Sequence, residues 1–306
     1  MEIYKNIILT LLLLAIGCGD EKNDLSNEKI KNNEALIAYG MGEFSFTGLK
    51  FFENKPLTIY TFAPDSNLKD LKVVFIMHGN NRNGKEYCFE WVKTAQNHKF
   101  LLLCPNFEEL NYPGSENYQL GGMWLNDAFV DSSQWTYNFI DSIYQFLLEL
   151  KYINNSKYAI YGHSAGAQFV HRYAEFIRPL SAEIIISANA GWYTRIDTME
   201  QYPYGFKNSP IKTIAIKDIL NLPLTILLGE LDINPNSSSL RKTEEAMRQG
   251  KHRFERGNFF YNEAKEFARS KNWQFYWRLE TVPNVGHSNL GMAETAGLVI
   301  HNAFNQ

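Results

Sequence analysis

Short apolar runs alternate with longer amphipathic stretches from about residue 36 to the C-terminus. The runs are rich in Val, Ile, Leu and Phe, which is typical of strands, whereas apolar residues in the longer stretches recur at helical spacing. We predict strands over residues 57–62, 71–77, 100–104, 157–161, 183–188, 224–228 and 274–282, and helices over residues 84–98, 132–151, 165–177 and 289–304. This alternation predicts an α/β fold with a mainly parallel sheet and helices on both faces. The first strand alternates in polarity and is expected on the outside of the sheet, and the second in its buried middle.

Two segments, residues 106–134 and 192–221, interrupt this alternation. Both are rich in aromatic residues, Gly and Pro, and both leave a predicted strand on the side where an open parallel sheet places its ligand crevice. We therefore expect them to shape a substrate site, with Trp124, Trp192 and Tyr193 as candidates for an aromatic wall. Packing of the same rings inside the two loops is the alternative.

The first residues have the composition of an export signal. A weakly basic start precedes an apolar run too short for a stable membrane span, so residues 1–17 are predicted to be a signal peptide. The Ala-Ile-Gly-Cys run ending at Cys18 resembles a bacterial lipobox, whose cysteine is lipidated and becomes the mature N-terminus. An ordinary secretory signal cut nearby is the alternative. We expect the polar residues 18–35 to form a disordered tether and residues 36–306 to form one domain.

Charge and cysteine content narrow the ligand classes. The formal net charge is -3, and there is no long basic run, so nothing favours nucleic acid or an anionic membrane surface as the main ligand. A small-molecule or uncharged polymeric substrate fits better. Cys88 and Cys104 remain besides Cys18. Export permits a disulfide between them, but both positions also fit buried free thiols, and the sequence leaves the two possibilities open.

A candidate nucleophile lies between a predicted strand and a predicted helix. Residues 162–166 read Gly-His-Ser-Ala-Gly. In this pattern a serine occupies a strained turn, and the two glycines avoid collision with the neighbouring strand and helix. We predict Ser164 as the nucleophile, with a glycine-rich turn carrying an idle serine as the alternative. A serine hydroxyl attacks efficiently only when a base removes its proton, so a base is expected downstream.

A histidine and a carboxylate follow in the expected chain order. His287 lies in a Gly-His-Ser run after the last predicted strand and is the predicted base. Asp232 follows the strand at 224–228 and is predicted to orient that base, with Glu230 as the alternative. The Asp232-x-Asn-x-Asn series is similar to a calcium loop, but it lacks the glycine and the final glutamate that such a loop needs. We therefore predict no metal there.

Ester or amide hydrolysis also needs donors for the developing oxyanion. The backbone N–H of Ala165, directly after the nucleophile, is one candidate, and that of Asn80, after the strand at 71–77, is the other. His78, close to these donors in the sequence, is an alternative candidate for a catalytic residue. In this position, however, we expect it to brace the loop through hydrogen bonds.

The His-Gly pair after the second strand, the Gly-His-Ser-Ala-Gly run, Asp232 and His287 together resemble the α/β-hydrolase superfamily. Within it, residues 74–105 and 161–172 are similar to the polyhydroxybutyrate-depolymerase and feruloyl-esterase-like branch of extracellular esterases. The resemblance implies hydrolysis of carboxylic esters through an acyl-enzyme, with neither a metal nor an organic cofactor. A serine peptidase or acyltransferase of the same fold, or an inactive surface-binding lipoprotein, are the alternatives. With lipidated Cys18, we expect a bacterial lipoprotein anchored in the periplasm or at the cell surface.

Overall fold

A computed structural model of the chain describes residues 35–211 and 213–306. The predicted signal peptide, the lipidation at Cys18 and the tether as far as residue 34 lie outside the described residues. Within the part that the structure describes, no helix is both long and apolar enough to cross a membrane.

The sheet follows the predicted pattern closely. Ten strands form within the described residues: β1 Gly40–Phe46, β2 Leu57–Ala63, β3 Lys72–Met77, β4 Phe100–Asn106, β5 Trp124–Leu125, β6 Ala128–Phe129, β7 Tyr158–His163, β8 Ala182–Ala188, β9 Leu224–Gly229 and β10 Arg278–Val282. Eight of them make one sheet in the order β1-β2-β4-β3-β7-β8-β9-β10, and β5 and β6 pair separately. All neighbours from β4 to β10 are parallel, while β1 and β2 join antiparallel. The mainly parallel sheet is confirmed. The strand β2, predicted at the outside of the sheet, is the second strand, because β1 pairs with it and forms the edge.

Helices cover both faces of this sheet, as predicted. Those within the described residues are α1 Gly84–Glu90, α2 Val92–His98, α3 Asn138–Glu149, α4 Ala165–Ile177, α5 Thr213–Leu220, α6 Glu244–Gln249, α7 Arg253–Ser270 and α8 Asn289–Phe304. Successive residues of a strand point to opposite faces, so Phe75 of β3 joins one core, with α3, α4, α5 and α7, and Val74 joins the other, with α1, α2 and α8. Each face is therefore sealed by its own set of helices.

Two predicted helices differ from the observed ones. The helix predicted over 84–98 is divided into α1 and α2 at Trp91. The helix predicted over 132–151 begins only at Asn138, because the carboxylate of Asp131 accepts a hydrogen bond from Ser133 N at 2.9 Å and closes a separate 3-10 turn. Side-chain capping therefore competes with the helix at its expected start.

The two cysteines of the described residues are free thiols. Cys88 of α1 and Cys104 of β4 are fully buried in the core formed with α2 and α8. Burial raises the pKa of the Cys104 thiol well above its ordinary range, and the adjacent Cys88 thiol adds to the effect. Of the two possibilities that the sequence left open, the structure has the buried free thiols.

Parallel strands bring distant residues together at one edge of the sheet. Because β3, β7, β8, β9 and β10 all run in the same direction, the segments that follow them emerge side by side. The residues in these segments are His78, Ser164, Asn189, Asp232 and His287.

Candidate active site

Ser164 occupies a strained turn between β7 and α4. Its backbone has φ 59° and ψ -112°, a conformation that non-glycine residues rarely adopt. The chain can make this turn only because its flanks are glycine. A Cβ on Gly162 would lie 2.2 Å from the carbonyl oxygen of Gly166, and a Cβ on Gly166 would lie 2.1 Å from that of Met77. The turn lifts the serine side chain out of the strand direction and presents it at the sheet edge.

A continuous row of hydrogen bonds joins the three residues singled out in the sequence. The Ser164 hydroxyl lies 2.9 Å from His287 Nε2, and Nδ1 of the same imidazole lies 2.6 Å from Asp232 Oδ2. Asp232 is buried and His287 is partly exposed. When Nδ1 carries the proton and donates to the carboxylate, Nε2 is free to accept the serine proton.

Hydrogen bonds between neighbouring loops hold the carboxylate and the imidazole in place. After β9, Leu231 N donates to Val285 O at 2.8 Å, which ties the loop carrying Asp232 to the loop carrying His287. Asn189, directly after β8, accepts from Gly229 N at 2.8 Å and donates to Gly286 O at 3.3 Å. Three consecutive strand ends are thereby linked beneath the imidazole. Asn189 was not singled out from the sequence, where a single Asn after a strand carries no distinguishing signal.

His78 braces the loop after β3, as predicted. Its Nδ1–H donates to Gly79 O at 2.8 Å, and its Nε2 accepts from Phe107 N at 3.0 Å, so the ring is neutral with the proton on Nδ1. Burial lowers its pKa to about 3. A histidine fixed on both sides in this way has no nitrogen left for proton transfer.

Two cavities flank Ser164. The first, of about 350 Å³, we name the His287 cavity; its lining includes Ser164, His287, Asn80, Tyr87, Glu90 and Asn289. The second, of about 390 Å³, we name the Trp192 cavity; its lining includes Ser164, Ala165, Asn80, Gln168, Trp192 and Arg241. The structure thus brings Asn80 and Ala165, the expected oxyanion donors, to the serine. Among the described residues no group of three or more His, Cys, Asp or Glu side chains is arranged to hold a metal ion.

We compared the chain with protein-family models, with curated proteins and with solved structures. No protein-family model matches the chain, and no curated protein matches it. Among solved structures, poly(aspartic acid) hydrolase-1 from Sphingomonas sp. KT-1 is similar, with 35% sequence identity over 86% of this chain and 99% of that chain, and a TM-score of 0.83.

The chain belongs to the α/β-hydrolase family. A poly(3-hydroxybutyrate) depolymerase from Bordetella parapertussis is also similar, at 28% identity over 85% of this chain and 89% of that chain, with a TM-score of 0.81. An S-formylglutathione hydrolase from Agrobacterium tumefaciens shares the fold, at 15% identity and a TM-score of 0.55, over 87% of this chain and 96% of that one. The chain is accordingly a hydrolase.

Two further residues of this α/β-hydrolase contact the row of hydrogen bonds. Arg253, at the start of α7, places Nη1 3.5 Å from Asp232 Oδ1. His163, next to the serine, lies with its ring centroid 4.6 Å from that of His287. Burial lowers the pKa of His163 well below its ordinary range, and electrostatic interactions with His287 and Arg253 lower it further, so His163 is neutral beside His287. The sequence offered a signal only for His163, which lies inside the Gly-x-Ser-x-Gly run.

The three aromatic candidates of this α/β-hydrolase have different positions. Trp192 is in the lining of the Trp192 cavity beside Ser164. Trp124 lies in the β5–β6 hairpin and packs against Phe129 at 4.7 Å between ring centroids. Tyr193 is fully buried and stacks on Phe260 at 4.4 Å. Of the three, only Trp192 is in the lining of the cavities beside the serine; Tyr193 packs in the interior, and Trp124 is half-buried in its hairpin.

Proposed function

We propose that the chain is a serine hydrolase that cleaves carboxylic esters through an acyl-enzyme on Ser164, with His287 as the base and Asp232 as the residue that orients it. The observation that carries the proposal is the hydrogen-bonded row from the Ser164 hydroxyl to the buried Asp232 carboxylate, at 2.9 and 2.6 Å. Both distances are within the range for productive proton transfer. The similarity to named hydrolases and depolymerases agrees with ester hydrolysis in general.

Acylation begins with attack of Ser164 Oγ on the substrate carbonyl carbon. His287 Nε2 takes the hydroxyl proton as the new carbon–oxygen bond forms, and the buried carboxylate stabilises the resulting imidazolium. The negative charge that develops on the carbonyl oxygen is directed at the backbone N–H groups of Ala165 and Asn80. The imidazolium then gives its proton to the alkoxide oxygen of the leaving group, which departs as the alcohol and leaves the acyl ester on the serine.

Deacylation repeats these steps with water. His287 Nε2 removes a proton from a water molecule, whose oxygen attacks the acyl carbon, and the same nitrogen returns the proton to Ser164 Oγ as the acid is released. The neutral His163 beside His287 adds no competing charge to the imidazole during either half-reaction.

One observation favours a second candidate, cleavage of amides. The similar protein from Sphingomonas sp. KT-1 is named a poly(aspartic acid) hydrolase, and a polymer of amino acids is joined by amide bonds. Ester and amide hydrolysis pass through the same tetrahedral intermediate, so the serine, the histidine and the carboxylate serve both reactions.

Reaction with a fluorophosphonate probe tests the nucleophile directly. We expect the wild type to be labelled and to hydrolyse p-nitrophenyl esters, and Ser164→Ala to do neither while keeping the circular dichroism spectrum of the wild type. A p-nitroanilide with the same acyl group, assayed in parallel, separates the esterase from the amidase. Turnover of the anilide without turnover of the ester would remove the esterase assignment, and a wild type without label or turnover would favour a surface-binding protein.

We further propose that Cys18 carries a lipid anchor, so that the enzyme is a membrane-attached exported lipoprotein. The proposal rests on the Ala-Ile-Gly-Cys run after an apolar segment. In a bacterial host, Cys18→Ser is expected to move the protein from the membrane fraction to the soluble exported fraction, while Cys88→Ser stays with the membrane. Membrane association of Cys18→Ser equal to that of the wild type would refute lipidation at this residue.

A further inference from the structure

The two cavities beside Ser164 differ in charge. The lining of the Trp192 cavity contains two cations, Arg241 and Arg253, and among its described residues neither an Asp nor a Glu. The described lining of the His287 cavity contains the carboxylate of Glu90 and no Arg or Lys. A substrate that extends across the serine therefore meets opposite charges on its two sides.

The reaction geometry assigns the two parts of a substrate to these cavities. The leaving group must lie beside His287 Nε2, because that nitrogen protonates it. His287 lines the His287 cavity and is not in the lining of the other. The acyl part therefore extends from Ser164 past Ala165 and Gln168 into the Trp192 cavity.

Positive charge in and behind the Trp192 cavity exceeds what nearby carboxylates neutralise. The buried Arg172 guanidinium lies 4.2 Å from the Trp192 ring centroid. In the part of the chain that the structure describes, it donates to Thr194 Oγ1 and to backbone oxygens of Gln119 and Gln168, and to no carboxylate. Among the described residues Glu175 forms no ion pair with Arg172, and neither of its carboxyl oxygens has a hydrogen-bond partner. Burial raises the pKa of this carboxyl well above the ordinary range, with Arg172 opposing the shift.

Arg256, behind the cavity, adds a further positive charge. Arg256 donates to backbone oxygens and to the Met247 sulfur. Burial lowers its pKa to about 10, so it keeps its proton at pH 7. Arg253, in the lining itself, is already paired with the Asp232 carboxylate and does not add to this excess. A buried positive charge without a counter-ion is costly, and an anionic ligand in the cavity would offset that cost.

Arg241 is the cation available to a ligand. Its guanidinium lies 5.0 Å from the ring centroid of Trp192 and 5.6 Å from that of Tyr204. Within residues 35–211 and 213–306 it forms no ion pair, and its charge acts on the half-buried Glu245 only at a distance, by lowering the pKa of that carboxyl. Contact with ring faces orients a guanidinium and leaves the N–H groups in its plane for a planar acceptor such as a carboxylate.

We propose that the Trp192 cavity is an acyl-binding site selective for acyl groups that carry a carboxylate, and that Arg241 binds this carboxylate. The substrate class is then half esters of dicarboxylic acids and acidic oligomers whose acyl side bears a free acid. This assignment rests on the proposed function, since it takes Ser164 as the acylated residue. The neutral acyl chains of simple fatty esters would leave the excess charge uncompensated.

Matched substrates test the site. They are p-nitrophenyl half esters of linear dicarboxylic acids from succinate to suberate, each compared with the uncharged monoamide of the same length. We expect the wild type to favour the half ester at one or more lengths. Arg241→Gln should lower kcat/KM for that half ester by about 10- to 100-fold, and for its monoamide by less than about threefold. Arg241→Lys should retain part of the preference, because it keeps the charge without the planar fork.

Arg269→Gln is the control variant. It removes the same charge from the exposed side of α7, where Arg269 pairs with Glu266, and is expected to keep the preference of the wild type. Equal rates for half ester and monoamide at every length in the wild type would overturn the proposal. An equal loss on both substrates in an Arg241→Gln protein that still reacts with a fluorophosphonate would also overturn it. In both cases the nucleophile assignment would stand. Absence of labelling and of all turnover in the wild type would instead remove the proposed function, and this site with it.

Discussion

Arg253 Nη1 lies 3.5 Å from Asp232 Oδ1, the carboxylate oxygen that His287 does not use. Both side chains are buried, with 2% and 3% of their surface exposed. Arg253 also donates to Ser239 Oγ at 2.9 Å, so its guanidinium is itself held. The carboxylate is thus fixed from two sides, and we expect Arg253 to position the proposed base, His287, through Asp232 rather than to act as a catalytic residue.

Replacing Arg253 tests this role. Arg253→Met leaves the buried Asp232 carboxylate with the His287 imidazole as a hydrogen-bond partner but without the guanidinium beside it, and we expect a loss of about 3 kcal/mol in the free energy of unfolding. We also expect kcat to fall by about tenfold at unchanged KM, because the carboxylate is less well positioned. Urea unfolding and steady-state kinetics measure the two effects. Arg253→Lys should restore part of both, and a variant as stable and active as the wild type would contradict the positioning role.

Asp232→Asn should lower kcat by about 10³- to 10⁴-fold. The amide no longer requires a proton on His287 Nδ1, so the imidazole loses the tautomer that leaves Nε2 free to accept. Ester turnover is measured with Ser164→Ala as the blank. Glu230→Gln is the matched control, since that carboxylate accepts a hydrogen bond from Thr281 Oγ1 at 2.8 Å and is expected to leave kcat within about threefold of the wild type. A large loss in Glu230→Gln with normal turnover in Asp232→Asn would reverse the assignment.

Gly166→Ala should destabilise the protein by more than about 3 kcal/mol. The added Cβ would lie 2.1 Å from the Met77 carbonyl oxygen, which is backbone in the middle of the sheet and has no room to move. Thermal unfolding measures the effect. Gly286→Ala is the control, because its Cβ would meet nothing nearer than Leu231 O at 3.6 Å, an ordinary contact. Equal melting temperatures for the two variants would contradict the packing at the turn.

Acid should weaken the fold through His78. The pKa of His78 is about 3 in the folded protein, and its ordinary value, which applies to the unfolded chain, is 6.5. Between these two pH values the imidazole is protonated in the unfolded chain and neutral in the folded protein. Stability from this group is therefore complete above about pH 6.5 and falls by about 2 kcal/mol on going to about pH 5. Urea unfolding at both pH values, in the wild type and in His78→Gln, measures the effect. The variant should lose about 2 kcal/mol less than the wild type over this interval, and an equal loss would show that His78 does not titrate on unfolding.

The elements with strong periodicity were predictable, and those with buried polar residues were not. α4 and α8 have the predicted bounds, because their apolar residues recur regularly beside the strands that they cover. α7 was not predicted: it buries Arg253 and Arg256, and a cation in the core breaks the apolar pattern on which the prediction depended. β1 was missed for a similar reason, since its Gly-Met-Gly-Glu start buries little.

At the site, too, residues in a recognisable sequence context were predictable, and those brought together only by tertiary packing were not. Ser164, Asp232 and His287 each follow a strand in a recognisable context, so sequence reasoning selected the residues that the structure brings into contact. The charge of the Trp192 cavity was not predictable. Arg172 and Arg241 lie outside the segment at 192–221 in which a substrate wall was expected, and tertiary packing brings them to Trp192.

Ser164 and His287, the proposed nucleophile and base, are 123 residues apart along the chain. During synthesis the glycine-flanked turn with Ser164 emerges from the ribosome well before His287. A nascent or truncated polypeptide therefore contains the serine but lacks the histidine that would remove its proton. If Ser164 and His287 act as proposed, turnover begins only when the last strand and the loop carrying His287 have joined the sheet. Recovery of activity after dilution from denaturant therefore times the arrival of the C-terminal elements, which spectroscopic probes of the early strands would miss.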